Sequence, residues 1–410
     1  MTSPKQFPGR VSRARRARWI TALGGALLAT AACVGAEAPA TTASPVPVAA
    51  AAPEVLHIAT FDSGFGGYLT AKSIEAAASP LLRDYDATIT VHHYGDTKNL
   101  PYGEKTPEQI ATLGSAGVLK AFAEGADMVF IACNTASTQY ASIRRAVDAA
   151  YPGQQKPVFS IIDVSTAEAK RQIDVTLTHK PTAVFAILAT PATVRSMVYP
   201  RRLAALYGAS ISEQPAQSYT QPRWYSTLGN TVDSLVQKSV ISLPAGRRID
   251  VYQLAPANWV EMLEHGADIQ VRQQAVHRDL GLLLSAIPGG GAPDVVGYFC
   301  THYPILDGTI RADLAARNPA SAGTHFIAQG QLMATLFQEM AQQRLKGHER
   351  ALPLTDTQLA PLLLEARPAI TISGANGANT RVLARAMFPN DPEPVVTEQD
   401  LGRLDSAARP

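Results

Sequence analysis

Two stretches of this chain bring a thiol to the end of an apolar run. Ala126-Asp127-Met128-Val129-Phe130-Ile131-Ala132 leads into Cys133-Asn134-Thr135, and Pro293-Asp294-Val295-Val296-Gly297-Tyr298-Phe299 leads into Cys300-Thr301-His302. Each reads as a buried strand that stops on a cysteine and small polar side chains. In open parallel α/β sheets, ligands sit beyond the carboxyl ends of strands. Two such ends can therefore deliver two thiols to one crevice. Four uses compete. A disulfide is the default for paired cysteines in an exported chain, yet a fold of this size needs no staple. A zinc site from Cys133, Cys300 and His302 lacks the close-spaced ligand pairs of structural zinc, so no metal is expected. Inert core cysteines are common, but a core would continue apolar where these strands turn polar. The fourth use is an acid/base pair. Inverting the α-carbon of an amino acid without a cofactor needs a base on one face and an acid on the other. Thiol and thiolate are both within reach near neutral pH once neighbours tune them. Asp62 is the candidate helper for Cys133 and His302 for Cys300, although Asp before Ser-Gly is more often a turn or cap residue.

The elements that would position these groups follow an α/β rhythm. A strand over 55–61 runs into Asp62-Ser63-Gly64-Phe65-Gly66-Gly67. A dinucleotide reading of this turn fails, because Leu69 stands where the spacing needs a small residue. A second strand is expected over 88–94, followed by a loop with Asp96, Tyr102 and Gly103. Thr106-Pro107-Glu108-Gln109 then opens a helix as a capping box with proline at its first position. Strand, helix and strand with short links form a βαβ unit, hence a parallel sheet covered by helices. Further strands are expected at 157–162, 181–188 and 325–328, and helices at 137–149, 256–285 and 332–345. The segment 200–250 lacks this rhythm and reads as an elaborated connection. Beyond about residue 350, an extended or poorly ordered tail is expected.

With 410 residues, 46% hydrophobic and 17% charged, the chain has room for two lobes and a sizeable core. A net charge of +2 makes no case for nucleic acid. Its three cysteines are Cys33, Cys133 and Cys300. Residues 1–18 carry six basic residues and no acid, and an uncharged run follows to residue 32. That layout predicts a signal peptide. Ala31-Ala32-Cys33 is similar to the end of a lipobox and predicts a lipid anchor through Cys33, and Arg15-Arg16 fits a twin-arginine signal. Residues 33–54 read as an Ala/Pro-rich linker. The protein is therefore expected to be exported, either periplasmic or anchored to the membrane.

Five motifs in register resemble cofactor-independent glutamate racemase, within the aspartate/glutamate racemase family. They are Phe61-Asp62-Ser63-Gly64-x-Gly66-Gly67, Asp96-Thr97 with Pro101-Tyr102-Gly103-Glu104-Lys105, Ala132-Cys133-Asn134-Thr135-Ala136, Ala189-Thr190-Pro191-Ala192-Thr193-Val194 and Cys300-Thr301-His302-Tyr303-Pro304. The resemblance implies two pseudo-symmetric α/β lobes, each a mostly parallel sheet flanked by helices, with the active site in the cleft between them. It implies Cys133 and Cys300 as the two bases, Asp62 and His302 as their helpers, and Glu264 as the carboxylate that orients His302. Ser63, Tyr102, Gly103, Asn134, Thr135 and Thr301 would hold the substrate, a small amino acid such as glutamate or aspartate. No cofactor is implied, and a homodimer is left open. The lobes would divide as 55–156 plus 305–350 and 157–304, with 351–410 as a C-terminal extension. The alternative is a non-catalytic exported amino-acid-binding protein on the same fold; a one-nucleophile thiol transferase or hydrolase fits two assisted cysteines poorly. Some positions depart from the family pattern. Phe299 replaces a glycine and is expected to crowd the pocket. Ser160, Val164 and Glu261 replace a glycine and two prolines.

Overall fold

A computed structural model describes residues 52–223 and 230–401. The expected signal peptide, Cys33 and nearly all of the linker lie outside the described residues.

Among the described residues, thirteen strands build two sheets. The first holds β1 (Glu54–Asp62), β2 (Ala87–Gly95), β3 (Met128–Ile131), β4 (Val158–Ser160), β12 (Ala369–Ile372) and β13 (Val396–Glu398). Its order is β13-β12-β2-β1-β3-β4, and every neighbouring pair is parallel. The second holds β5 (Thr182–Ala189), β6 (Ser210–Glu213), β7 (Gln217–Pro222), β8 (Thr231–Ser242), β9 (Arg248–Ala255), β10 (Val295–Phe299) and β11 (His325–Ile327). There β11-β10-β5-β9 is parallel, while β8 joins β9 antiparallel and pairs β6 and β7. The α/β expectation of two helix-flanked, mostly parallel sheets is met.

Local chemistry accounts for the elements nearest the cysteines. β3 and β10 are buried along their whole length, as strands covered on both faces must be. The helix Pro107–Ala123 that feeds β3 starts with the expected reciprocal cap between Thr106 and Gln109. Helices Tyr68–Asp84 and Gln329–Arg344 pack on each other. Their Ile74, Leu81 and Phe337 join Leu56 and Ile58 of β1 in one core, each side chain contributing roughly 1.5–3 kcal/mol of burial.

Three expectations need correction. In the described part of 200–250 the helix Val198–Tyr207 ends and β6, β7 and β8 form an antiparallel annex, and β9, which begins at Arg248, is a central strand. The pattern of these strands is hidden because Gln237 and Ser239 of β8 and Asp250 and Gln253 of β9 are polar yet buried. The lobe boundaries also move, since β4 pairs with β3 in the first sheet and β11 with β10 in the second. Both are three-residue edge strands, too short to carry a pattern. Finally, the described residues beyond 350, as far as 401, are folded. Thr355 and Gln358 cap the helix Asp356–Glu365, β12 adds to β2, and Leu359, Ile370 and Ile372 are buried.

Candidate active site

The ends of β1, β3 and β10 meet at one cavity of about 290 Å³ of empty space. Cys133 and Cys300 both line it, each only 4–5% exposed, and both are free thiols. Ser63, Tyr102, Gly103, Asn134, Thr135, Thr301 and His302 line the same space, joined by Pro101, Thr190 and Val260. Asp62 and Glu264 stand one layer behind, fully or nearly fully buried. The expected site residues therefore converge. Among the described residues, no group of three His, Cys, Asp or Glu side chains is placed to hold a metal.

On the first lobe, Cys133 caps the helix Asn134–Ser137, its Sγ accepting from Ala136 N at 3.4 Å. The thiol donates to Ser63 Oγ at 3.5 Å, and Ser63 Oγ donates on to Asp62 Oδ1 at 3.4 Å. These long contacts make a thiol–hydroxyl–carboxyl line. Burial and then the Asp62 charge push the Cys133 thiol up to about 12. Burial also lifts Asp62 to about 6, against the opposing pull of His302 and the Gly64 N–H. A carboxyl near 6 can exchange a proton close to neutrality.

On the second lobe, Cys300 Sγ lies 3.8 Å from His302 Nδ1, and His302 Nε2 lies 2.6 Å from Glu264 Oε1. The same oxygen accepts from Phe65 N at 2.8 Å, which ties the pair to the glycine turn of the first lobe. Burial alone would lower the His302 pKa, but the bonds to Cys300 and Glu264 and their charges hold it well above 6.5. His302 is thus an imidazolium braced between a thiol and a carboxylate. Thr301 Oγ1 donates to Asp62 Oδ2 at 3.1 Å, joining the halves. Gly66 makes this approach feasible, because a Cβ there would come within 2.5 Å of Thr301 Oγ1.

Some expected ligands are already engaged. The Asn134 amide is bonded to Gln329 and to the Tyr199 hydroxyl, so it offers the cavity its backbone. Tyr102 donates its hydroxyl to Asp96 at 2.6 Å, and Thr135 Oγ1 pairs with Thr190 Oγ1 at 2.7 Å. Phe299 does not crowd the pocket. Its ring stacks on Tyr199 with centroids 3.8 Å apart and folds over Gly297, where a Cβ would meet it at 2.6 Å. Ser160 caps the helix Ile161–Leu177.

Sequence reasoning missed a supporting layer. Ser373, just past β12, donates to Asp96 Oδ1 at 2.5 Å, and Asn379 donates to the Glu264 carbonyl at 2.6 Å. Gln329 and Tyr199 hold Asn134 from behind. Arg223 bonds both Glu261 and Glu104. The capping box Thr355-x-x-Gln358 was the one local sign that the C-terminal segment folds.

A two-lobed α/β protein that brings two buried thiols, each near an ionisable group, to one cavity has the parts that an acid/base isomerase of small carbon acids needs. Comparison with known proteins sharpens that class. The family model described as Asp/Glu/hydantoin racemase matches residues 66–233. The glutamate racemase of Ruegeria pomeroyi is 34% identical over 254 residues, covering 62% of this chain and 75% of that protein. The fold is similar to a glutamate racemase isoform of Bacillus anthracis, at TM-score 0.55 and 18% identity over 85% of this chain and 98% of the other. It is also similar to the glutamate racemase of Francisella tularensis solved in complex with D-glutamate, at TM-score 0.54 and 17% identity over 84% and 98%. The chain belongs to the aspartate/glutamate racemase family, a family of amino-acid racemases.

Proposed function

We propose that the protein interconverts L- and D-glutamate without a cofactor, using Cys133 and Cys300 as a two-base pair. The observation that carries this is the placement of two free, buried thiols on strand ends of opposite lobes, lining one small cavity, each backed by an ionisable group. In each direction one thiolate removes the α-proton from one face of the substrate, and the other thiol returns a proton to the opposite face. The C–H bond electrons stay on carbon between the two steps. Asp62, through the Ser63 hydroxyl, exchanges the proton of Cys133, and His302, oriented by Glu264, that of Cys300. Ser63, Thr135, Thr301 and the backbone N–H groups around Asn134 hold the carboxylates; donors of this kind suit a compact anionic ligand. Glutamate is favoured over aspartate by the similarity to the glutamate racemases of Paracoccus denitrificans, Cereibacter sphaeroides and Ruegeria pomeroyi.

The leader supports a further part of the proposal, that the enzyme is exported and lipidated at Cys33 and supplies or salvages D-amino acids near the cell wall. Membrane fractionation with mass measurement of the mature N-terminus tests this; a soluble cytoplasmic chain that keeps residues 1–32 would refute it.

Proton NMR in heavy water, on the reduced protein with each enantiomer of glutamate and aspartate in turn, tests the chemistry. Loss of the α-proton signal with appearance of the opposite hand is expected for glutamate. Persistence of every α-proton despite ligand binding would overturn the racemase reading in favour of a binding protein.

A further inference from the structure

The annex between β7 and β9 places a guanidinium between the two walls of the cavity, and we propose that Arg223 is a positioning residue that holds the lobes closed over the substrate. The proposal rests on the racemase reading only for the identity of what is enclosed. Arg223 directly follows β7, and its backbone N–H bonds Asn230 O at 2.9 Å. Nη1 donates to Glu261 Oε1 at 2.8 Å, and Nη2 donates to Glu104 Oε1 at 2.6 Å. Glu104 follows Tyr102 and Gly103, which form the cavity wall from the first lobe. Glu261 follows Val260, the wall from the second. One side chain thus ties the two walls together.

The tie has a fixed end and a detachable end. The hairpin is built into the second lobe. Buried Asp279 accepts from Gln221 of β7, Ser234 of β8 and the Trp259 indole N–H. Asn258 donates to Pro222 O at 3.1 Å. Arg223 therefore travels with the helix Trp259–Glu264, which also carries Glu264. The Glu261 side chain is 9% exposed and that of Glu104 42%. A partly dried pair holds better than a wet one, so opening breaks the Glu104 contact first. Glu261 stands where the family pattern has proline, which offers no carboxylate.

The buried thiols report opening without any need for turnover. The full-length protein is treated with N-ethylmaleimide, and the labelling rates of Cys133 and Cys300 are read peptide by peptide by mass spectrometry, apart from Cys33. Arg223→Gln is expected to speed labelling of both about tenfold, the equivalent of one strong ion pair. Glu104→Gln should do nearly the same, and the double variant should add little. Raised salt should speed labelling of the parent and leave Arg223→Gln unchanged. In glutamate turnover, Arg223→Gln should raise KM more than it lowers kcat. A variant that merely fails to fold would label as fast as the urea-unfolded chain, and Glu104→Gln, at the exposed end, then carries the test. Unchanged labelling in a folded Arg223→Gln or Glu104→Gln protein would overturn the proposal. Faster labelling in a protein that leaves glutamate untouched would refute the racemase reading and keep the tie.

Discussion

The two thiols occupy equivalent places in the two lobes, yet their surroundings are opposite in electrical character. Cys133 faces a hydroxyl and, beyond it, the lone carboxyl of Asp62, whose charge and burial work against the thiolate. Cys300 faces an imidazolium whose charge is balanced by Glu264. One half stores its proton near a group that resists ionising, the other near a group that resists losing its proton. On the proposed two-base reading, a site that treats mirror-image substrates alike is thus built from halves that are chemically unlike. The equality it must show is thermodynamic only. Enantiomers have equal free energies, so kcat/KM must be the same from either hand, while kcat, KM and the isotope effects need not be.

The largest expected effect tests whether both halves are needed. Cys133→Ser and Cys300→Ser should each lower racemisation by roughly 10³-fold or more, the scale of losing a general acid or base, followed by circular dichroism from each enantiomer. Near-parent activity in either variant would leave a one-base mechanism. Asp62→Asn should be milder, about 10²-fold, and should act unevenly. With α-deuterated substrate, the isotope effect should grow for the hand whose proton goes to Cys133 more than for the other. An equal change for both hands would erase the distinction between the halves.

Stability separates the two carboxylates by sign. Burial lifts Asp62 from 3.8 to about 6, so its contribution to the fold is full below about 3.8 and is lost as pH rises through about 6. Above that, the folded chain carries a buried carboxylate at a cost of about 3 kcal/mol. Asp62→Asn should therefore raise the urea midpoint at about pH 8 and lose that advantage near pH 4. His302, the partner of Glu264, behaves in the opposite way. It is held well above 6.5, so the stabilisation that its proton brings is full below about 6.5 and fades only as pH climbs through the folded value. Glu264→Gln leaves a buried imidazolium unbalanced and should cost about 3 kcal/mol near neutral pH, with the gap narrowing in alkali. If both variants shifted the midpoint in the same direction at neutral pH, the contrast between lone and paired carboxylate would be wrong.

The parts of this site that were legible in the sequence are those where chemistry is local. β3 and β10 announced themselves because four or five consecutive apolar residues end on Cys-polar-polar, and Thr106 to Gln109 is a cap contained in four residues. β9 was not legible, because Asp250 and Gln253 are buried polar residues that break the apolar pattern. Arg223 could not be read as a tie, since Glu261 and Glu104 lie 38 and 119 positions away. The C-terminal segment was misjudged for a different reason. Its proline, alanine and asparagine content suggested a tail, while four apolar-rich residues, Ala369–Ile372, were enough to add a strand beside β2.

That C-terminal strand carries the smallest predicted effect, and the one that best resolves the two halves. Ser373 reaches the first lobe's wall, donating to Asp96, which accepts the Tyr102 hydroxyl beside Cys133's side of the cavity. Asn379 reaches the second, donating to the Glu264 carbonyl behind His302. Neither touches the cavity itself, so each acts only through the group it holds. Ser373→Ala and Asn379→Ala should each lose about 1 kcal/mol of hydrogen bonding, a change of a few-fold in kcat/KM. Ser373→Ala should leave the midpoint-versus-pH contrast between parent and Glu264→Gln intact, while Asn379→Ala should shrink it by loosening the carboxylate that His302 leans on. Rescue by Ser373→Thr, which keeps the hydroxyl, would separate positioning from simple packing. If instead both alanine variants lowered stability and left kinetics from both hands unchanged, the C-terminal segment would be a structural prop, and the asymmetry of the site would end at Asp62 and Glu264.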